Sequence, residues 1–207
     1  MARNVFISFR FSDGKRYKDR LVELFEQNED IYDYSEDEDR SKLSEVSIKN
    51  FLYSKLKQTT VTVVLLTPQA INHQVGLYGR IDDWMYDEIR YSLEEREGNK
   101  TNGLIGVYVP EAESMIFTKS THRCNTCKKE SEVLRILEFN NLVRKNMMNI
   151  KDEYKRNPCL GIFDSDYDSY CSLISFNDFC NNPNMYIDIA YEKRSNLYKY
   201  RDLVKRL

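Results

Sequence analysis

Short continuous apolar runs and helically spaced apolar stripes follow one another along the first half of the chain. The continuous runs predict buried strands at residues 4–9, 31–34, 61–66, 104–109 and 172–176. The stripes predict helices over residues 15–27, 44–58 and 84–97, each following one of the strands. Alternation of strand and helix indicates a parallel sheet, because each crossover helix returns the chain to the same end of the sheet. The pattern therefore predicts an α/β fold with helices on both faces of the sheet.

The region 111–170 breaks this alternation and is predicted to be a helical and loop insertion. Residues 111–130 and 157–170 resemble loops, whereas residues 131–156 are predicted to form one helix. The helix is predicted from apolar residues spaced three and four apart, which we expect to contact the core: Ile136, Phe139, Val143, Met147, Ile150 and Tyr154. Asn182-Pro183 is expected to start an amphipathic closing helix that runs through the basic tail to Arg206. We expect residues 1–207 to form a single domain.

Composition and charge exclude several classes of partner. The chain has 207 residues, long enough to bury a core, and balances 31 Lys and Arg against 33 Asp and Glu. The resulting net charge of −2 gives no electrostatic footprint for nucleic acid. No apolar run approaches the ~20 residues of a membrane span, and the first apolar run is too short for a signal peptide. We therefore expect a cytoplasmic protein that binds neither nucleic acid nor membrane.

The motif His122-x-Cys124-x-x-Cys127 has the spacing of metal ligands. A closed zinc site needs four ligands, and the sequence contains no second CxxC pair that would complete one. The other cysteines, at 159, 171 and 180, could contribute only through the fold. We therefore expect reduced loop thiols and no metal site. His73, in the loop after the third strand, is expected at the surface.

The common strand order 2-1-3-4-5 would place a ligand crevice beside the carboxyl ends of strands 1 and 3. Phe9 and Arg10 follow strand 1 and offer an aromatic face and a guanidinium group. Trp84 and Glu88 lie on the helix after strand 3, four residues apart and hence on one face. A tryptophan beside a carboxylate offers a stacking surface and partly desolvates the carboxylate. An ordinary turn with Phe9 in the core, and a buried Trp84 with a solvent-facing Glu88, are the alternatives.

Several segments resemble one family of proteins. Residues 5–9 with Asp13 resemble the first strand and loop of TIR domains, and Trp84-x-x-x-Glu88 resembles the tryptophan and catalytic glutamate of NAD-cleaving TIR domains. Further similar segments are 18–24, 33–35, 61–65, 102–107 and 186–192. Together they resemble the TIR-like proteins of bacterial Thoeris anti-phage defence, the ThsB type, over residues 4–110 and about 170–194. The resemblance implies a flavodoxin-like, TIR-like three-layer fold with a central, mostly parallel five-stranded sheet.

The resemblance also implies an activity. Such proteins use NAD⁺ as a substrate, require no cofactor, break the bond between nicotinamide and ribose, and pass the ADP-ribose on. The product is a cyclic ADP-ribose isomer or a conjugate with an acceptor such as histidine. Glu88 is then the catalytic carboxylate, because the adjacent Asp87 points about 100° away around the helix. Phe9 and Trp84 would wall the nicotinamide–ribose pocket, Arg10 would meet the pyrophosphate, and Ser35 would contact ribose.

The partners implied by the resemblance are an effector protein reached through the diffusible product, a phage component as trigger, and a second copy of the chain. The acidic residues 36–39 would repel a dinucleotide, so we expect them to face solvent or a neighbouring subunit. The alternative function is a non-enzymatic TIR-like adaptor that assembles with partner proteins. A receiver domain or a flavin-binding domain fits poorly, because strand 3 ends in Thr67-Pro68 and the loop after strand 1 is not a Gly-rich or Ser-rich phosphate loop.

Overall fold

The computed structural model describes residues 3–35, 45–74, 84–95, 98, 100–159 and 161–207, except for the side chains at 45, 48 and 49. In chain order the elements are β1 (Arg3–Ser8), α1 (Phe11–Glu26), β2 (Ile31–Asp33), α2 (Glu45–Leu56), β3 (Val61–Leu66), α3 (Trp84–Leu93), β4 (Gly103–Tyr108), α4 (Glu113–Ile116), β5 (Phe117–Arg123), β6 (Glu130–Ile136), α5 (Leu142–Lys145), β7 (Cys171–Ser175), α6 (Phe176–Asn181) and α7 (Pro183–Ser195). The acidic residues 36–39 lie outside the described residues, as does most of the loop before α3.

Five parallel strands form the central sheet in the order β2-β1-β3-β4-β7. Since β7 is the fifth strand of this sheet, the predicted order 2-1-3-4-5 is confirmed. The α/β, TIR-like three-layer fold is confirmed with it. Strand β3 is buried at every position, as expected for a central strand covered on both faces. The carboxyl ends of β1 and β3, beside which the crevice was predicted, are hydrogen-bonded neighbours.

Successive strand residues point to opposite faces of the sheet, so the apolar strands give it two apolar faces. Helices pack against both of these faces. Val5 and Ile7 of β1 pack into a cluster with α1, α6 and α7. Phe6, between them, packs on the opposite face with Leu52 of α2 and Tyr91 of α3. The side chain of Ser8 therefore emerges on the same face as α3. In the described part of the chain, no helix is both long and apolar enough to cross a membrane.

The predicted helix over residues 131–156 is wrong. Strands β5 and β6 instead form an antiparallel hairpin, in which Phe117 pairs with Ile136 and Arg123 with Glu130. An irregular chain with the four-residue helix α5 follows the hairpin. Most of the apolar stripe does reach the core, since the side chains of Phe139, Val143, Met147 and Ile150 are buried and Ile136 is half-buried; the prediction is wrong for Tyr154, which is 39% exposed. The spacing thus correctly indicated contact with the core for most of these residues. An irregular chain that folds over the sheet makes this contact without a helix.

Residues 111–130 also differ from the predicted loop, because they contain α4, the strand β5 and the start of β6. The hairpin gave no strand signal because most of its side chains are exposed, which removes the alternation of apolar and polar residues. The predicted loop at residues 157–170 is confirmed, since the described residues there contain neither helix nor strand.

The prediction that the closing helix runs through the basic tail to Arg206 is wrong. Helix α7 ends at Ser195, and Tyr200 then pairs with Ile150 in an isolated antiparallel bridge. The side-chain amide of Asn146 donates to the Val204 carbonyl and accepts from the Val204 N–H, both at 2.8 Å. These contacts satisfy the hydrogen-bonding groups of the Val204 backbone without a helix, and they hold the tail against the insertion.

Candidate active site

Glu88 lies at the carboxyl end of β1, where the crevice was predicted. The hydroxyl of Ser8, the last residue of β1, donates to Glu88 Oε2 at 2.6 Å. Ser8 is fully buried and Glu88 is half-buried, so the carboxylate is fixed from the protein side while part of it stays accessible. A short hydrogen bond of this kind holds one carboxylate oxygen and orients the other.

A buried polar network fixes the helix that carries Glu88. The hydroxyl of Ser92, one turn further along α3, donates to the Glu88 carbonyl at 2.8 Å and lies 2.8 Å from Thr62 Oγ1. Asn102 Nδ2 donates to the hydroxyl oxygens of Thr62 and Thr59. Because these side chains are buried, their hydrogen bonds form without competition from water. The network joins α3 to β3.

The two carboxylates at 87 and 88 have different surroundings. Asp87 forms an ion pair with Arg90, with 3.0 Å between Oδ1 and Nη2. Burial, followed by the nearby charge of Asp87, raises the pKa of Tyr91 to about 12. The Tyr91 hydroxyl therefore stays protonated at neutral pH. Asp87 thus serves a local ion pair, whereas the Glu88 carboxylate points to the end of β1.

Trp84 and Phe9 lie in different hydrophobic clusters. Trp84 packs, half-buried, against the cluster of Phe6 and Tyr91 on the α2–α3 face. Phe9 packs against the cluster on the α1–α7 face, and its ring lies 6.2 Å from that of Phe11. The two rings that were predicted to wall one pocket therefore border the β1 carboxyl end from opposite faces of the sheet.

The loop after β1 is tied to the end of β3 by Asp13. Its Oδ1 accepts from the Thr67 hydroxyl at 2.8 Å, and its Oδ2 accepts from the Gln69 N–H at 3.0 Å. The Ser12 hydroxyl adds a hydrogen bond to Gln69 Oε1 at 2.6 Å. These bonds hold the two strand-end loops of the predicted crevice against each other.

Arg10 and Ser35 stand on the same edge of the sheet as Glu88. Arg10 is half-buried and forms the N-cap of α1, with its carbonyl accepting from the Gly14 N–H at 2.7 Å. Ser35 follows β2, and both its hydroxyl and its N–H donate to Asp33 Oδ1, at 2.6 and 2.8 Å. Such a turn fixes Ser35 at the neighbouring strand end. The hydroxyl proton is directed towards Asp33, which leaves the hydroxyl oxygen as an acceptor.

Sequence reasoning missed Ser8, which positions Glu88, and assigned no role to Asp13. A signal for Ser8 exists, because it is a polar residue at the last position of an apolar strand, next to the predicted crevice. His73 is a correction: it is 5% exposed rather than at the surface, and its ring packs edge-on against Tyr86 at 5.1 Å. The Asn140 carbonyl of the insertion accepts from the His73 N–H, which draws this loop inward.

An open cleft of about 1130 Å³ lies further along the same sheet, between the hairpin and the ends of β4 and β7. Its lining includes Tyr108 of β4, Asp178 of α6, and Phe117 and Leu134 of the hairpin. Glu88 is not among the lining residues. The cleft is therefore separate from the edge where Glu88 and Ser8 meet.

Comparison with known proteins identifies the family. A family model described as "Thoeris protein ThsB, TIR-like domain" matches residues 6–114, more than half of the chain. A protein of Bacillus cereus (strain MSX-D12), named "Putative cyclic ADP-D-ribose synthase ThsB1", is 30% identical over 115 residues. That alignment covers 53% of each chain, so the similarity spans about half the length of the relative. Together with the parallel sheet and the position of Glu88 at its carboxyl edge, the match to the family model shows that this chain belongs to the ThsB TIR-like family.

Proposed function

We propose that this chain cleaves NAD⁺ and converts it to an ADP-ribose-derived signalling nucleotide in anti-phage defence. The observation that carries the proposal is the Glu88 carboxylate, held by the buried Ser8 hydroxyl at 2.6 Å at the carboxyl end of β1. Open parallel sheets bind nucleotides at this edge. The name of the Bacillus cereus relative, a cyclic ADP-ribose synthase, supports the same chemistry.

The proposed chemistry needs one well-placed negative charge. Departure of nicotinamide leaves an oxocarbenium-like ribose, and a carboxylate that holds the ribose hydroxyls stabilises the developing positive charge. The Ser8 hydroxyl holds Glu88 Oε2 and so orients the carboxylate that is assigned to the ribose. The hydrogen bond fixes the carboxylate before substrate binds, and a charge that is already in place costs little reorganisation during the reaction.

The substrate would lie along the ends of β2, β1 and β3. Trp84 lies one turn before Glu88 and is assigned to the nicotinamide–ribose end, with Phe9 bordering the site from the other face of the sheet. Arg10 is assigned to the pyrophosphate, because a guanidinium group binds phosphate oxygens in a bidentate manner. The Ser35 hydroxyl oxygen, whose proton is directed towards Asp33, would accept from a ribose hydroxyl.

The released ADP-ribose would be closed on itself or passed to an acceptor such as histidine, and the product would activate a partner effector protein. A phage component as trigger and self-association of the chain are part of the same proposal, as is the absence of any required cofactor. The name of the Bacillus cereus relative favours the cyclic product.

The test is incubation of the purified protein with NAD⁺, with and without free amino acids, read by mass spectrometry. The variant is Glu88→Gln, and Asp87→Asn is the matched control because it removes the adjacent carboxylate, which pairs with Arg90. Each protein is assayed alone and in lysate from infected cells, since a triggered enzyme is idle without its trigger. We expect NAD⁺ loss and a new ADP-ribose product with the wild type and Asp87→Asn, and neither with Glu88→Gln.

Intact NAD⁺ with the wild type in both conditions would contradict the proposal and favour the adaptor. Turnover that persists in folded Glu88→Gln would contradict the role of Glu88. Thermal unfolding of each variant confirms that any loss of turnover is not a loss of fold.

A further inference from the structure

Three cysteines from two separate segments of the chain meet at the tip of the β5–β6 hairpin. The sulfur atoms of Cys124, Cys127 and Cys159 all lie within 4.8 Å of one another. Cys159 lies 32 residues beyond Cys127, and their sulfur atoms are 3.5 Å apart. In a tetrahedral zinc site with Zn–S bonds of about 2.3 Å, neighbouring sulfur atoms are about 3.8 Å apart. The cluster therefore has nearly the dimensions of a metal site.

The hairpin turn is folded around one of these sulfur atoms. The backbone N–H groups of Thr126 and Cys127 donate to Cys124 Sγ at 3.3 and 3.4 Å. Lys128 has a φ of 60°, which lets the chain reverse, and its N–H donates to the Cys124 carbonyl at 2.9 Å. Backbone donors directed at a sulfur atom stabilise its thiolate form, and the thiolate is the form that binds metal. Cys124 is 2% exposed, so these donors act away from solvent.

The loop that carries Cys159 is held from its own side. The Cys159 N–H donates to Asn157 Oδ1 at 2.9 Å, and the Lys155 ammonium group donates to the Cys159 carbonyl at 2.5 Å. These contacts fix the loop with the Cys159 sulfur next to the hairpin tip. Both halves of the cluster are therefore positioned by hydrogen bonds that do not involve a metal ion.

A histidine borders the same cluster. His122 precedes Cys124 by two residues, and its ring lies against Gly161, two residues after Cys159. A Cβ atom at position 161 would stand 2.9 Å from His122 Nε2 and 2.8 Å from its Cε1. Only glycine at 161 leaves room for the imidazole in this position. The ring nitrogens of His122 lie outside the group of ligand atoms within 4.8 Å of one another, so His122 becomes a ligand only when its ring turns towards the sulfur atoms.

We propose that Cys124, Cys127 and Cys159 bind one Zn²⁺ ion that pins the hairpin tip to the Cys159 loop, with His122 completing the site as fourth ligand after a rotation of its ring. On binding, the three thiols release their protons to solvent and no oxidation occurs. This site was not expected from the sequence, because Cys159 reaches the motif only through the fold.

The role of this ion is structural. A two-stranded hairpin is marginally stable by itself, and most side chains of β5 and β6 are exposed. The hairpin also forms one wall of the 1130 Å³ cleft, whose lining includes His122 and Gly161. A metal bond at the tip would hold that wall against the loop on the other side. The proposal is independent of NAD⁺ cleavage, because Glu88 does not line this cleft.

The test measures zinc in the full chain, purified under reductant from cells grown with zinc, by elemental mass spectrometry. We expect about one zinc ion per chain, as in structural Cys₃His sites. Protein stripped by a chelator and titrated with Co²⁺ should give thiolate-to-cobalt charge-transfer absorption and the visible bands of tetrahedral cobalt. The cobalt titration uses the wild-type chain, so it is decisive even if a ligand variant fails to fold.

Three ligand variants and one control variant then assign the ligands. Cys127→Ser and Cys159→Ser should each lower zinc retention at least about tenfold, whereas Cys180→Ser, which changes a cysteine outside the cluster, should retain full occupancy. His122→Cys should keep the metal and shift the cobalt bands towards an all-thiolate set; an unchanged spectrum would exclude His122 as a ligand. Folded, reduced wild type without zinc and without a cobalt spectrum would overturn the proposal. A Cys127–Cys159 disulfide in protein that binds no zinc after reduction would overturn it as well.

Discussion

Replacing Ser8 by alanine removes the hydroxyl that holds the Glu88 carboxylate at 2.6 Å and leaves the rest of β1 intact. A hydrogen bond to a charged group contributes about 1.5–3 kcal/mol. Because Glu88 is half-buried and can recruit water in place of Ser8, we expect the lower end of that range, a loss of about 1.5 kcal/mol in the free energy of unfolding. A freed carboxylate also loses its position, and about 1.4 kcal/mol of lost transition-state stabilisation corresponds to a tenfold fall in kcat.

The assay combines urea unfolding with steady-state NAD⁺ turnover, under the condition in which the wild type is active. For Ser8→Ala we expect kcat to fall about tenfold with KM within about twofold, because the buried Ser8 contacts Glu88 rather than substrate. The matched control is Ser92→Ala, which also removes a buried hydroxyl, but one that binds the Glu88 carbonyl rather than the Glu88 carboxylate. It should lose similar stability and keep kcat within about threefold. An unchanged kcat for Ser8→Ala, or an equal fall for Ser92→Ala, would refute the positioning role of Ser8.

Three further predictions address the scaffold. A Cβ atom at Gly103 would stand 2.2 Å from the Ala190 carbonyl oxygen. Gly103→Ala should therefore lower the free energy of unfolding, measured by urea titration, by about 3 kcal/mol or more. A loss below about 1 kcal/mol would show that α7 packs differently. Asp13→Asn should raise KM for NAD⁺ more than it lowers kcat, because Asp13 joins the two crevice loops through Thr67. Steady-state kinetics in which only kcat changes would contradict this role of Asp13. Burial lowers the pKa of Lys193 from 10.5 to about 8. Between these pH values the folded chain therefore binds fewer protons than the unfolded chain. The free energy of unfolding of the wild type, relative to that of Lys193→Met, should rise as the pH increases from about 8 to 10.5. If the difference in free energy of unfolding between the wild type and Lys193→Met does not change over this pH range, the lowered pKa of Lys193 is contradicted.

Most of the sheet could be predicted from sequence because strands β1, β3, β4 and β7 are buried on both faces over most of their length. A continuous β-branched run such as residues 61–66 has few other solutions, and β3 occupies those same residues. Helix ends were less certain: α3 stops at Leu93 rather than at residue 97, where helical spacing alone could not locate the end. The insertion could not be predicted, because Val143 and Met147 satisfy helical spacing while an irregular chain carries them to the core.

The candidate site divides in the same way. Trp84 and Glu88 were predictable as one face of a helix at the carboxyl edge, since spacing and topology both follow from local pattern. The contact between Ser8 and Glu88 joins positions 80 residues apart, and the cluster of Cys127 and Cys159 joins positions 32 apart. Pairings across such separations depend on tertiary packing, so a single sequence indicates the residue types but not which of them meet.

The most direct test of the central claim, that Glu88 carries NAD⁺ cleavage for signalling, is nucleotide mass spectrometry of phage-infected cells. Cells expressing the wild-type chain are compared with cells expressing Glu88→Gln at equal protein levels. We predict that an ADP-ribose-derived nucleotide accumulates after infection only with the wild type. Equal accumulation of that nucleotide in both cell types, or no nucleotide in either while both resist the phage, would contradict the claim.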